Sequence, residues 1–220
     1  MEKKTLSALD IENYFQGLSS SFSKNYQLKG VKKNTLKVLD YLFNLKLNNK
    51  TVLETGCGSR GLLIEFLKRY YDYVIGFDVS DDMISNAMKL TQDMGSNSKS
   101  LFLKSDFNEL DFNQVATIRT HKPEVIIADR AFCRSPVSLQ ILDWLLVNDP
   151  EYIVITLPRK NVLYRKGWRA KLKIRNMKLD IKSQFPAHYY FESDVYNICQ
   201  KRGYKLDFHF FSIVVRNINI

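Results

Sequence analysis

Cysteine is scarce and scattered. Cys57, Cys133 and Cys199 are odd in number, widely separated and without a C-x-x-C pair, a pattern that argues against a disulfide framework and a zinc site and predicts reduced thiols. Long apolar runs are missing too, since none approaches the roughly 18 residues of a membrane span. Met1 to Thr5 lead into polar and charged positions instead of the apolar core of a secretory signal. A soluble, cytoplasmic chain with no transmembrane segment is the expectation. Internal repeats and low-complexity segments are absent as well. What is present, 220 residues at 45% hydrophobic content, suffices for one α/β domain with a buried core.

The densest signal is Thr51-Val52-Leu53-Glu54-Thr55-Gly56-Cys57-Gly58-Ser59-Arg60-Gly61-Leu62-Leu63. A β-branched apolar run leads into an acidic residue and then a glycine-rich turn. Gly56 and Gly58 permit backbone angles closed to other residues and let a ligand approach the main chain. Leu62, Leu63, Phe66 and Leu67 then recur at helical spacing. Strand, tight turn and helix in succession place a ligand at the carboxyl edge of a parallel sheet. Further on, Tyr73-Val74-Ile75-Gly76-Phe77 reads as a strand ending in Asp78, with a helix from Ser80 to Lys89 behind it. Asp78 stands 24 positions after Glu54, near the spacing of roughly 20 at which such folds grip ribose hydroxyls with a carboxylate. A bare strand-to-helix turn is the plainer alternative for an isolated glycine pair. Gly56-Cys57-Gly58-Ser59-Arg60-Gly61 also satisfies G-x-G-x-x-G, which makes NAD the rival cofactor.

Glu54-Thr55-Gly56-Cys57-Gly58 and Gly76-Phe77-Asp78-Val79-Ser80 resemble motifs I and II of the class I S-adenosylmethionine (SAM) methyltransferases. The family's first motif reads acidic-x-Gly-x-Gly-x-Gly, and this chain departs from it at Arg60, where the last glycine is expected. Either Gly61 takes over that role one position late, or the guanidinium reaches the methionine carboxylate or a substrate acid. The resemblance ranks SAM above NAD. It implies Glu54, Gly56, Cys57, Gly58, Arg60, Asp78, Val79 and Met83 as cofactor-binding residues. By motif order it adds Asp106, where the family keeps an acid or amide that meets the adenine amino group, and Phe107 near the adenine ring. An Asx turn is the plainer account of Asp106. It also implies Asp129, in Val125-Ile126-Ile127-Ala128-Asp129-Arg130-Ala131-Phe132, at the end of the fourth strand where donor and methyl acceptor meet. Amino-methylating members often show Asp/Asn-Pro-Pro-Phe/Tyr there. Asp129 and Phe132 are present and both prolines are not, so that motif lends no support to nucleic-acid base methylation.

Alternating periodicities place strands at 51–54, 73–77, 100–104, 124–128 and 151–156, and helices at 60–70, 81–91 and 136–146. Helical spacing also covers Ile11 to Gln16 and Lys33 to Asn44. Near the end, a helix from Glu192 to Gly203 has Ser193 as its cap, Asp194 in its first turn and Gly203 behind it. Two strands, 204–210 and 211–216, finish the chain. The expected fold is α/β and Rossmann-like, a mostly parallel seven-stranded sheet with the C-terminal antiparallel hairpin that the resemblance implies. An N-terminal helical cap, 1–48, precedes a SAM-binding domain, 49–220, that carries a basic insert at about 158–190.

Charge is concentrated in that insert. Between positions 158 and 182, ten basic residues face Asp180 alone, so the segment carries +9 of the chain's +10. Interleaved with Tyr164, Trp168 and aliphatic residues, it suits phosphates, an acidic substrate or peripheral contact with an anionic membrane surface. A solvated insertion is the plainer alternative, and the periodicity fits strand and helix alike.

Methyl transfer from a sulfonium is an in-line displacement that chiefly needs aligned reactants and excluded water. A hydroxyl acceptor also needs a group to take its proton, whereas a carboxylate needs none. Asp129 and His188, in Pro186-Ala187-His188-Tyr189-Tyr190, are the catalytic candidates; His121 reads as a loop residue and His209 as a strand residue. Around the core, the order of features resembles the magnesium-protoporphyrin O-methyltransferases, which methylate a propionate carboxylate on a planar tetrapyrrole, and the quinone-pathway methyltransferases. That layout implies Tyr14, Arg130, Arg159 and Tyr164 as substrate-binding residues. The expected function is SAM-dependent methyl transfer to an oxygen or nitrogen of an anionic or aromatic small molecule. The alternatives are an RNA or protein methyltransferase docking through the basic segment, and a SAM-binding protein without turnover.

Overall fold

The computed structural model describes residues 8–31, 33–44, 50–59, 62–69, 72–105, 112–129, 131–132, 137–156, 190, 192–209 and 212–217. Two helices open it, α1 (Ala8–Lys29) and α2 (Lys33–Asn44). Strands and helices then alternate: β1 (Thr51–Thr55), α3 (Leu62–Leu67), β2 (Tyr73–Asp78), α4 (Asp81–Asp93), β3 (Ser100–Lys104), α5 (Phe112–His121), β4 (Val125–Ala128), α6 (Ser138–Leu146) and β5 (Tyr152–Thr156). The last elements are α7 (Glu192–Lys201), β6 (Tyr204–His209) and β7 (Ser212–Asn217).

The seven strands form one sheet in the order β3-β2-β1-β4-β5-β7-β6. The first five run parallel, and β7 is antiparallel to both β5 and β6. Strands covered on both faces read as near-continuous apolar runs, which is how β4 and β5 read in sequence and in burial. Successive residues face opposite sides of the pleat. Val52, Val74, Ile127 and Val154 therefore join Leu39 and Leu42 of α2 and Phe66 of α3 in one cluster. Leu53, Ile75, Ile126 and Ile153 join Ile118 of α5, Leu142 and Leu145 of α6 and Val195 of α7 in the other. Chain order reverses beside β1, which pairs with β2 on one edge and β4 on the other. That is the switch point at which open α/β sheets bind ligands beyond the strands' carboxyl ends.

Several elements differ from the sequence expectation. The first helix runs from Ala8 to Lys29 instead of Ile11 to Gln16, because Gly17 and Ser19-Ser20-Ser21 are weak helix formers whose preference is overridden by docking of α1 on α4. Helix α5 is not anticipated at all. Its sequence, Phe112 to His121, is rich in β-branched residues with little periodicity, and full burial of Ile118 anchors it. His121 accordingly ends a helix instead of lying in a loop, and its ring stacks on Tyr73 with centroids 5.0 Å apart. Ser193 is the second residue of α7 and not its cap. Gly203, at φ +76, closes that helix as expected.

Candidate active site

The carboxyl ends of β1, β2 and β4 converge on the glycine turn. Gly56 and Gly58 hold φ of +66 and +54, the left-handed region that glycine enters without strain. The Gly58 N–H donates to Asp78 Oδ2 at 2.8 Å and the Ser80 N–H to Asp78 Oδ1 at 3.0 Å. One carboxylate thus braces the turn after β1 against the start of α4. The Cys57 N–H donates to the Phe77 carbonyl at 2.9 Å, which ties the turn to β2. A Cβ at Gly76 would come within 2.8 Å of Cys57 Sγ and 2.6 Å of the Phe102 ring. Cys57 is therefore a small buried side chain in a slot that glycine opens.

Helix α4 begins where that turn needs support. Ser80 caps it by accepting from the Met83 N–H at 3.3 Å, and Met83 is buried. The Ser59 hydroxyl lies 3.4 Å from Met83 Sδ and 3.3 Å from the Ser19 carbonyl of α1. Asn86 of α4 donates to the Ser19 hydroxyl at 2.8 Å. Lys104 bridges Glu12 at 2.6 Å and Asp81 at 2.8 Å, and those hydrogen bonds, Asp81 foremost, raise its pKa. The Tyr26 hydroxyl donates to Glu65 of α3 at 3.1 Å; burial first, and then the nearby Glu65 charge, push its pKa up. Helix α1 is thereby laid across the glycine turn and its flanking helices.

Asp129 follows β4 and is buried. Its Oδ2 accepts from Thr35 of α2 at 2.9 Å and its Oδ1 from Thr156 of β5 at 3.0 Å. Two residues further on, Ala131 fills the space a Cβ on Gly56 would need, 2.6 Å away. The exit from β4 and the glycine turn are thus in direct contact. Phe132 is buried, its ring edge-on to Tyr190 at 5.1 Å, and its carbonyl accepts from Ser138 at 2.6 Å.

Of the residues singled out in the sequence, Gly56, Cys57, Gly58, Asp78 and Met83 meet in one cluster, with Val79 directly behind Asp78 and Glu54 buried at the end of β1. Asp129 adjoins it through Ala131. Tyr14 lies on α1, part-buried, with its ring edge-on to Phe15. Arg60, Asp106, Phe107, Arg130, Arg159, Tyr164 and His188 lie outside the described residues. Ser19, Thr35, Ser59, Ser80 and Thr156 were assigned no role in the sequence. Only Ser80 had a local signal, a capping residue ahead of Asp81-Asp82.

These groups fit a nucleoside-bearing donor. Asp78 brings a buried carboxylate, an acceptor-only group when ionised, to the carboxyl edge of the sheet beside the turn, the kind of group that ribose hydroxyls bond. Ser105, at the end of β3, donates its N–H to the Asp78 carbonyl at 2.8 Å. Its own buried hydroxyl has no hydrogen-bond partner among the described residues, a group beside the same edge that a ligand would satisfy. Among the described residues no group of three or more His, Cys, Asp or Glu is placed to hold a metal ion, and no helix is long and apolar enough to cross a membrane.

Comparison with known proteins agrees with this geometry. The chain matches the methyltransferase-domain family over residues 26–207. No curated protein sequence matches it. Among solved structures, the magnesium protoporphyrin IX methyltransferase of Synechocystis PCC 6803 with bound S-adenosylhomocysteine is similar at a TM-score of 0.67 and 16% identity, covering 95% of this chain and 98% of that one. A Haloferax volcanii complex of the Trm112 methyltransferase activator with a methyltransferase gives 0.61 at 13% identity, covering 93% and 95%. A Methanosarcina mazei SAM-dependent methyltransferase gives 0.58 at 16% identity, covering 80% and 96%. With a match across most of its length and a strand order that sets the glycine turn at the switch point, the chain belongs to the methyltransferase-domain family and is a class I SAM-dependent methyltransferase.

Proposed function

We propose that the chain methylates an oxygen or nitrogen of an anionic or aromatic small molecule beside Asp129. SAM supplies the electrophilic methyl group. Asp78 accepts the ribose hydroxyls while its bonds to Gly58 and Ser80 keep the turn in place, and Gly56 and Gly58 leave the main chain open to the ligand. Glu54, Cys57, Val79 and Met83 complete that wall, with Arg60, Asp106 and Phe107 assigned to it from sequence.

The observation that carries the small-molecule reading is the position of the N-terminal helices. Ser19 of α1 sits on Ser59, and Thr35 of α2 sits on Asp129. A roof so close to the turn encloses a compact acceptor and excludes water, the conditions that in-line displacement needs. The +9 charge of segment 158–182 favours an acidic acceptor, with Tyr14, Arg130, Arg159 and Tyr164 as its contacts and His188 as the base for a hydroxyl acceptor. Likeness to a magnesium protoporphyrin IX methyltransferase along nearly the whole chain supports a flat one.

The test is transfer of labelled methyl from SAM to a panel of aromatic and tetrapyrrole carboxylates and phenols, run beside transfer RNA and a basic protein. Label is expected in a small molecule. Salt-sensitive labelling of RNA alone would contradict the reading, because each phosphate contact releases counterions.

A further inference from the structure

Ser105 carries a hydroxyl that the fold does not use. The residue is 3% exposed, and its Oγ finds no hydrogen-bond partner among the described residues. Leaving a buried hydroxyl unpaired costs stability, and a serine leaving a strand ordinarily turns its hydroxyl back on the neighbouring main chain. The backbone around it is fixed all the same. Its N–H donates to the Asp78 carbonyl at 2.8 Å, Lys104 before it pairs with Asp78 in the β2–β3 register, and the Lys104 ammonium is held by Glu12 and Asp81. A rigid strand end thus carries an unused hydroxyl that turns about a single torsion.

Its place in the sheet says which part of the donor comes nearest. Strand β3 is outermost, and β2, which ends in Asp78, separates it from β1 and β4. A nucleoside gripped at its ribose by Asp78 extends two ways. The 5′ carbon leads to the sulfur, on the side of the glycine turn and Asp129. The 1′ carbon carries the base the other way, toward the strand that lies about 5 Å further on, and no strand of the sheet lies beyond that one.

We infer that Ser105 is a specificity-determining residue for the donor's base, its hydroxyl donating a hydrogen bond to a ring nitrogen of adenine. This rests on the reading that Asp78 grips the donor's ribose. The ring nitrogens of adenine that carry no hydrogen are acceptors, and its amino group is assigned from sequence to Asp106, so a donor is what the base still requires. A site that donates to a ring atom rejects a base lacking it, because the donor is then left buried and unpaired. In the free protein Ser105 already stands in that penalised state, which makes its hydroxyl a source of affinity and not of stability.

Calorimetric titration of the full chain tests this without any methyl acceptor. The ligands are S-adenosylhomocysteine and its 1-deaza, 3-deaza and 7-deaza analogues, each with one ring nitrogen replaced by C–H. The proteins are wild type and Ser105→Ala, each with its melting temperature in the absence of ligand. Wild type is expected to bind at least one analogue roughly five- to tenfold more weakly than the parent thioether. Ser105→Ala should bind the parent about as weakly as wild type binds that analogue, and should no longer tell the two apart. The free variant should melt no lower than wild type, since no hydrogen bond is removed. Equal affinity of wild type for all four ligands overturns the inference, and so does a discrimination that persists in Ser105→Ala or an equal weakening of all four ligands there. A variant that melts lower or does not fold shows that the hydroxyl supports the fold, which overturns it as well. Failure of wild type to bind the parent thioether at all is a separate result, which removes the donor site and this assignment with it.

Discussion

Gly56 is held to glycine by two independent constraints. Its φ of +66 strains any residue with a side chain, and a Cβ there would meet Ala131 at 2.6 Å. Gly56→Ala is expected to cost roughly 2–4 kcal/mol and to abolish thioether binding, as urea unfolding and calorimetry would show. Cys199 offers a pH-dependent check on the core. Burial pushes its thiol from an ordinary 9.0 up to about 12. A raised value in the folded state means that this contribution to stability is fully present below the unfolded value and is lost as pH rises from about 9 toward about 12. Urea midpoints measured up to about pH 10.5 should decline more steeply for wild type than for Cys199→Ala; parallel curves would assign the alkaline loss elsewhere. At this scale the sequence was most legible where one residue type answers one geometric need. The positive-φ glycines and Asp78 were readable for that reason. Thr35 and Thr156 were not, because their partner lies 94 and 27 residues away and a lone threonine has no local signature.

Among the elements, α1 has the most to reveal. Glu12, Ser19 and Tyr26 fasten it to β3, the glycine turn, α4 and α3 through polar contacts. Tyr26→Phe removes a half-buried hydroxyl from Glu65 and should cost about 1 kcal/mol in urea unfolding. Since Ser59 joins α1 to the glycine turn, amides of α1 should exchange more slowly when S-adenosylhomocysteine binds, if the proposed donor site is the right one. Equal exchange with and without ligand would mean that α1 and the turn are not coupled. The same helix marks the limit of periodicity. Helical spacing was read there only from Ile11 to Gln16, and α5 offered no periodicity to read; both helices form because tertiary contacts outweigh weak local preference. The strands were legible to within a residue or two, since β1, β2, β4 and β5 are buried on both faces and their apolar runs say so.

For the whole molecule, strand order β3-β2-β1-β4-β5-β7-β6 puts the Gly56–Gly58 turn, Asp78 and Asp129 on one edge of one sheet. Alternation of strands and helices foretold the parallel part, and the family resemblance foretold the antiparallel end. Neither gives the acceptor, because acceptor specificity lies in side chains drawn from several loops and not in the order of strands. The central claim is the donor site. Its most direct test is calorimetric titration with S-adenosylhomocysteine and with NAD, repeated for Asp78→Ala. Micromolar binding of the thioether, absent for NAD and lost in Asp78→Ala, is the expected result. No thioether binding by wild type, or a preference for NAD, would contradict it.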